Sequence, residues 1–129
     1  MPSIFTKIIS GEIPSYKIAE DENYFAFLDI NPNAVGHTLC IPKKEVDRLF
    51  DLDEETYAGL MNFARKIGIA LEAAIPCKRV GMTVIGLEVP HVHVHLIPLQ
   101  KMANATFQEK VTLTKDEFEE VANKIKAHL

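Results

Sequence analysis

The chain has 129 residues, 47% hydrophobic and 25% charged, with a formal net charge of −4; that suits one compact domain over the whole length and gives no reason to expect nucleic acid, which selects a basic stripe. No apolar run approaches a membrane span, and the opening Met1-Pro2-Ser3-Ile4-Phe5 lacks the basic and apolar regions of a signal peptide. Cys40 and Cys77 stand alone without Cys-x-x-Cys spacing, so the expected compartment is the reducing cytoplasm, with Cys40 a small core residue.

In chain order, residues 3–13 place Ile4, Phe5, Ile8 and Ile9 on a short helical turn halted by Gly11 and Pro14. Residues 15–19 and 24–29 read as two strands joined by the turn Glu20-Asp21-Glu22-Asn23, with Phe25, Phe27 and Asp29 on one face of the second. Asn31-Pro32-Asn33-Ala34-Val35-Gly36 is a loop rich in breakers, and residues 37–41 form a third strand stopped by Pro42. The longest element is a helix over about 53–75, for which Asp51 and Glu54 have the capping-box offset. Its apolar stripe runs through Tyr57, Leu60, Met61, Ala64, Ile67, Gly68, Leu71 and Ala74, and reads as core. Residues 79–85 are a fourth strand, 86–90 a loop and 91–98 a fifth strand. A last helix starts at Lys115 behind the capping box Thr114/Glu117, burying Phe118, Val121, Ala122 and Ile125. His128, in its final turn, suits the helix dipole. The order predicts an α+β layer design, a mostly antiparallel sheet with helices on one face.

The fifth strand, His91-Val92-His93-Val94-His95-Leu96-Ile97-Pro98, carries most of the chemistry. Alternation puts His91, His93 and His95 on one face, with Val92, Val94 and Ile97 toward the core. Three uses compete. A neutral imidazole can attack phosphorus while flanking imidazolium groups neutralise the phosphoryl oxygens. Three strand-borne histidines, with His37 as a fourth ligand, can hold a catalytic zinc. Or the histidines are a polar strip on an exposed sheet face.

The run His91-Val92-His93-Val94-His95-Leu96-Ile97 resembles the His-φ-His-φ-His-φ-φ signature of the histidine triad (HIT) nucleotide hydrolases and transferases. The opening Ile4-Phe5-Thr6-Lys7-Ile8-Ile9-Ser10-Gly11-Glu12-Ile13-Pro14 is similar to that of the Hint branch. So are Ala26-Phe27-Leu28-Asp29-Ile30 and Gly36-His37-Thr38-Leu39-Cys40-Ile41-Pro42-Lys43-Lys44. The resemblance implies one HIT domain, a five-stranded antiparallel sheet with a long helix and a C-terminal helix. It implies a hydrolase that needs no cofactor, with His93 attacking the α-phosphorus of a purine nucleoside phosphoramidate or related ester to form a nucleotidyl-histidine. His95 would contact phosphate oxygens, the main chain near His91 would fix the His93 tautomer, and His37 would be the fourth histidine of the site. Asp29 would hold the ribose hydroxyls, a natural task for a carboxylate. Phe5, Ile8, Ile13, Phe27 and Ile30 would wall the base pocket. A homodimer across the long helix is also implied. Lys43 and Lys44 read as solvated loop residues.

Three departures stand out. The zinc-binding branch has a Cys-x-x-Cys near its start, and here Ser3 and Thr6 hold those places, so no structural zinc is expected. A phosphate-binding Gly-Gln-Ser/Thr becomes Gly86-Leu87-Glu88, and an asparagine six residues before the glycine becomes Val80. A carboxylate at Glu88 would repel a phosphate unless it is protonated or turned away. A surface role is therefore the first reading for Glu88, and proton transfer with the leaving group the second. The function expected is that of a cytoplasmic, metal-independent purine-nucleotide hydrolase. The alternatives are a dinucleoside polyphosphate hydrolase with the same nucleophile, or a nucleotide-binding regulatory module without turnover.

Overall fold

The computed structural model describes residues 2–129. Its elements are α1 (Ile4–Ile9), β1 (Lys17–Glu20), β2 (Tyr24–Leu28), β3 (Thr38–Pro42), α2 (Glu54–Ala74), β4 (Arg79–Thr83), β5 (Val94–Leu99) and α3 (Lys115–Lys126). The five strands form one antiparallel sheet in the order β1-β2-β3-β5-β4. This is the α+β arrangement expected from the sequence.

Strand pairing divides the side chains cleanly between two faces. Ala26, Cys40 and Val94 align across β2, β3 and β5, as do Leu28, Thr38 and Leu96. With Leu60, Phe63, Ala64, Ile67, Ala70 and Leu71 of α2, this side makes the main core, closed by Phe118, Val121, Ala122 and Ile125 of α3. Phe25, Phe27, Leu39 and Ile41 point the other way and pack on Phe5 of α1. The helices therefore do not all lie on one face: α1 covers the side opposite α2 and α3. Ile97 also departs from expectation. It has the parity of the histidines and pairs with Gly81, and Leu96 takes the core position.

Helix α2 spans nearly the expected residues, but its cap lies two residues after the Asp51 of the Asp51/Glu54 offset. Asp51 belongs to a 3-10 turn at Leu49–Asp51, and Asp53 is the cap, its carboxylate accepting the Thr56 N–H. The helix ends at Ala74 because Pro76 forces Ile75 into extended backbone. The buried stripe is rotated from the predicted one. Phe63 and Ala70 are inside, whereas Tyr57 is 40% exposed. Tyr24 crosses α2 at Gly59, where an added Cβ would run into the tyrosine hydroxyl, which donates to Thr56 O. At α3 both bonds of the Thr114/Glu117 capping box form.

β4 and β5 are shorter at their shared turn than the pattern predicts. β5 begins at Val94, because the residues before it bond elsewhere: Val92 N–H to Val46 O, and His91 N–H to Val89 O. Cys40 is fully buried, as expected, and burial pushes its thiol pKa up. No helix of the described residues is long and apolar enough to cross a membrane.

Candidate active site

The sheet face opposite the main core collects the histidines. His95 lies on β5 opposite Leu39 of β3, and His37 sits immediately before β3. Gly36, at φ +93°, turns the chain into it. Strand pairing thus brings His37 Nε2 to 3.0 Å from His95 Nδ1. The rings of His93 and His95 are 4.9 Å apart, and the Phe5 ring lies 5.0 Å from His93 and 5.8 Å from His91. His91, His93 and His95 are at most 7% exposed, which removes the exposed polar strip as an account of them.

The hydrogen bonds assign each proton. Asn33 N–H donates to His37 Nδ1 at 3.0 Å, so the proton of neutral His37 is on Nε2 and donates to His95 Nδ1. His95 must then carry its own proton on Nε2. Its neighbour His93 is reversed. His93 Nδ1–H donates to the carbonyl oxygen of His91 at 2.8 Å, leaving the lone pair on Nε2. Neither outer nitrogen has a protein partner among the described residues, and no buried polar side-chain atom there is unpaired, so both open to solvent. A lone pair thus stands beside an N–H donor, the pair that attack on a phosphoryl group needs.

Charge follows burial. Burial, with His95, Lys110 and His93 nearby, lowers the His37 pKa to about 3. Burial, with His93 and Lys110, lowers that of His95 to about 4. His91 is lowered as well, chiefly by burial. The flanking groups are therefore neutral imidazoles, not the imidazolium groups that the sequence pattern suggested. Asp29 is held above its usual value by burial, against the opposing pull of the Asn31 N–H, Lys110 and His93. Its Oδ2 lies 3.6 Å from His37 Nε2.

Asp29, His37 and His95 are also close enough for one ion, with ligand atoms all within 4.8 Å of one another. The donor set suits a relay better. An ion on His37 Nε2 would displace its proton onto Nδ1, which already faces the Asn33 N–H. Ser3 and Thr6, in the places of the zinc-branch cysteines, offer neutral hydroxyls where structural zinc takes thiolates, so they do not fit that metal.

Of the other sequence candidates, Phe5 and Phe27 touch edge to face at 5.5 Å, with Ile8 packed beside them. Ile13 is half-buried outside that cluster, and Ile30 is 73% exposed in a groove with Pro14, Lys115 and Glu119. Glu88 is exposed, and its charge adds to the rise of the Asp29 pKa that burial chiefly causes. Leu87 is 90% exposed.

Three residues that sequence reasoning missed complete the site. Asn33, 1% exposed, bonds His37, Asn104 O and the Lys110 ammonium. Phe107 lies edge-on to His95 at 4.9 Å and holds a left-handed φ of 62°, a strained choice for a bulky side chain. Lys110 Nζ stands 5.1 Å over the Phe107 ring and bonds Asn31 O and Asn33 Oδ1. The breakers around Asn33 were visible, but nothing local ties 107 and 110 to the histidines.

The HIT domain family model matches residues 10–102. An uncharacterized HIT-like protein of Borreliella burgdorferi is 36% identical over 98% of this chain and 97% of its own. The adenosine 5'-monophosphoramidase of Saccharomyces cerevisiae is 41% identical over 74% of this chain and 61% of its own. Among solved structures, a Hit-like protein of Bartonella henselae, described as involved in cell-cycle regulation, superposes with TM-score 0.86. It is 35% identical, with 98% and 96% of the two chains covered. A zinc-bound histidine triad family protein of Mycobacterium smegmatis superposes at 0.80 with 29% identity, covering 97% and 91%.

Proposed function

The chain belongs to the HIT domain family, and from that footing we propose that it hydrolyses a purine nucleotide at the α-phosphorus, releasing a nucleoside monophosphate. The preferred substrate is a nucleoside phosphoramidate. His93 Nε2 forms a bond to phosphorus as the P–N bond breaks, and the leaving nitrogen takes a proton from solvent to depart as the amine. Water then adds to the phosphorus, gives up a proton to solvent and frees His93. His95 Nε2–H is the donor facing the phosphoryl oxygens, and His37, fixed by Asn33, keeps that proton outward. Asp29 takes the ribose hydroxyls, and Phe5, Phe27 and Ile8 provide the apolar wall.

The observation that carries this reading is the paired state of His93: Nδ1–H locked on the His91 carbonyl, Nε2 free and open. The 41% identical yeast phosphoramidase supports the substrate class. A denaturing alkaline quench with labelled adenosine phosphoramidate tests it. The intact protein is expected to trap label as phosphohistidine, and His93→Ala to trap none. Equal labelling of the variant would refute the assignment. Chelation is expected to leave turnover unchanged. Faster turnover of diadenosine polyphosphates than of the phosphoramidate would move the substrate class and keep the nucleophile. The exposed Leu87-Glu88 pair, in place of neutral donors, favours the second reading, a nucleotide-binding module. Tight binding without turnover would select it.

The proposal extends to a cytoplasmic homodimer. The outer edge of β4 has no strand partner among the described residues, and Ile69 of α2, Met82 of β4 and Ile85 in the loop after it are about half exposed.

A further inference from the structure

The start of the chain is tied to the triad by bonds that no step of the reaction uses. His91 Nε2 lies 2.8 Å from Pro42 O, which can only accept, so the ring proton is on Nε2. Its Nδ1 then presents a lone pair, and Ser3 Oγ, 2.7 Å away, donates into it. The same Ser3 Oγ accepts the Thr6 N–H at 3.0 Å. Ser3 N–H and Thr6 Oγ1–H both donate to Glu45 Oε1, each at 2.6 Å. The neighbouring Val46 O accepts Val92 N–H at 2.8 Å. Residues 45–46 therefore grip α1 on one side and the histidine segment on the other.

A plain helix cap does not account for this. Capping needs only the Ser3 Oγ bond to Thr6 N–H, and it explains neither the bond to His91 nor the doubly bonded Glu45. A helix of 6 residues also has little stability of its own and takes its place from tertiary contacts. Ser3 is 6% exposed and His91 0%, so losing the hydroxyl would leave a buried ring nitrogen unpaired.

We propose that Ser3, Thr6 and Glu45 form a clasp that positions the nucleophile. It holds His91 in one tautomer and one ring plane, so that the His91 carbonyl stays aimed at His93 Nδ1. It also seats α1, keeping Phe5 against the His93 ring. Hydrogen bonds here stand where the zinc-binding branch has its Cys-x-x-Cys. The three are positioning residues, and the inference rests on His93 being the nucleophile.

Ser3→Ala, Ser3→Thr, Glu45→Ala and Glu45→Gln in the full chain test it, with adenosine phosphoramidate as substrate. Ser3→Ala and Glu45→Ala are expected to lower kcat about tenfold with KM within about twofold, the scale of a lost supporting contact behind a reacting group. Ser3→Thr and Glu45→Gln keep the hydroxyl and the acceptor oxygen, and are expected to recover most of the rate. Nitrogen-15 spectra should show His91 as a single Nε2–H form in the intact protein and as a mixture in Ser3→Ala. A folded Ser3→Ala protein with unchanged kcat and an unchanged His91 spectrum would overturn the clasp. If Ser3→Ala does not fold, the exposed Glu45→Ala decides by the same two readouts. Absence of turnover in the intact protein would instead overturn the role of His93, and the His91 spectra would still decide the clasp.

Discussion

His93 and His95 show how hydrogen bonds give adjacent, chemically identical side chains opposite jobs. One has its inner nitrogen protonated by facing a carbonyl, the other has its inner nitrogen deprotonated by facing a donor. Replacing His93 by Ala is expected to lower kcat by ~10³-fold or more while leaving the Kd for a nucleoside monophosphate within about threefold, because a nucleophile acts on the transition state. Titration calorimetry beside steady-state kinetics checks this. Equal loss of affinity would mean that the ring chiefly binds. The lowered histidines also make stability depend on pH. His37 and His95 fall to about 3 and about 4, while an unfolded histidine titrates near ~6.5. Between those values the unfolded chain binds more protons, so stability is complete above about pH 6.5 and falls as pH drops. Between about pH 6.5 and 5, above the carboxylate range, each of the two contributes a slope of up to about 1.4 kcal/mol per pH unit. Thermal melts across that window should show the slope, and His37→Asn should reduce it. A melting temperature flat from pH 7 to 5 would contradict the neutral-histidine assignment.

Among the elements, α2 shows why a stripe can be right in kind and wrong in phase. Its sequence has apolar residues over much more than one face, so several neighbouring stripes fit the 3.6-residue period. The sheet selects the one through Leu60, Phe63, Ala64, Ile67 and Leu71. Ile67→Ala is expected to cost about 2–5 kcal/mol by denaturant unfolding, and Tyr57→Ala at most about 0.5 kcal/mol per folded chain. A cost at Tyr57 as large as at Ile67 would restore the sequence-based stripe. β5 makes a similar point. Alternation places all three histidines on one face, yet regular pairing begins only at Val94, because Val92 bonds outside the sheet and His91 N–H turns back to Val89. That irregularity frees the His91 carbonyl for His93.

For the whole molecule, the sheet separates stability from chemistry. One face carries the main core under α2 and α3, and the other holds the imidazoles under α1. The outer edge of β4, without a strand partner among the described residues, and the half-exposed Ile69 are the surfaces on which the homodimer proposal rests. Ile69→Asp is expected to shift the protein from dimer toward monomer in sedimentation equilibrium. A monomeric parent protein would sink the homodimer proposal.

Local periodicity was sufficient to reveal what depends on neighbouring residues alone. The shared face of His91, His93 and His95, the capping box of α3, its buried side, and the α+β order all come from backbone geometry repeating every 2 or 3.6 residues. The tertiary structure decided what depends on residues far apart. Ser3 meets His91 across 88 positions and His37 meets His95 across 58. Phe107 and Lys110 reach the site only because the chain after β5 returns over the loop of Asn31 and Asn33. Tautomer and charge belong to that second class. A ring nitrogen takes its proton state from the partner that folding places beside it, and no spacing along the chain specifies that partner.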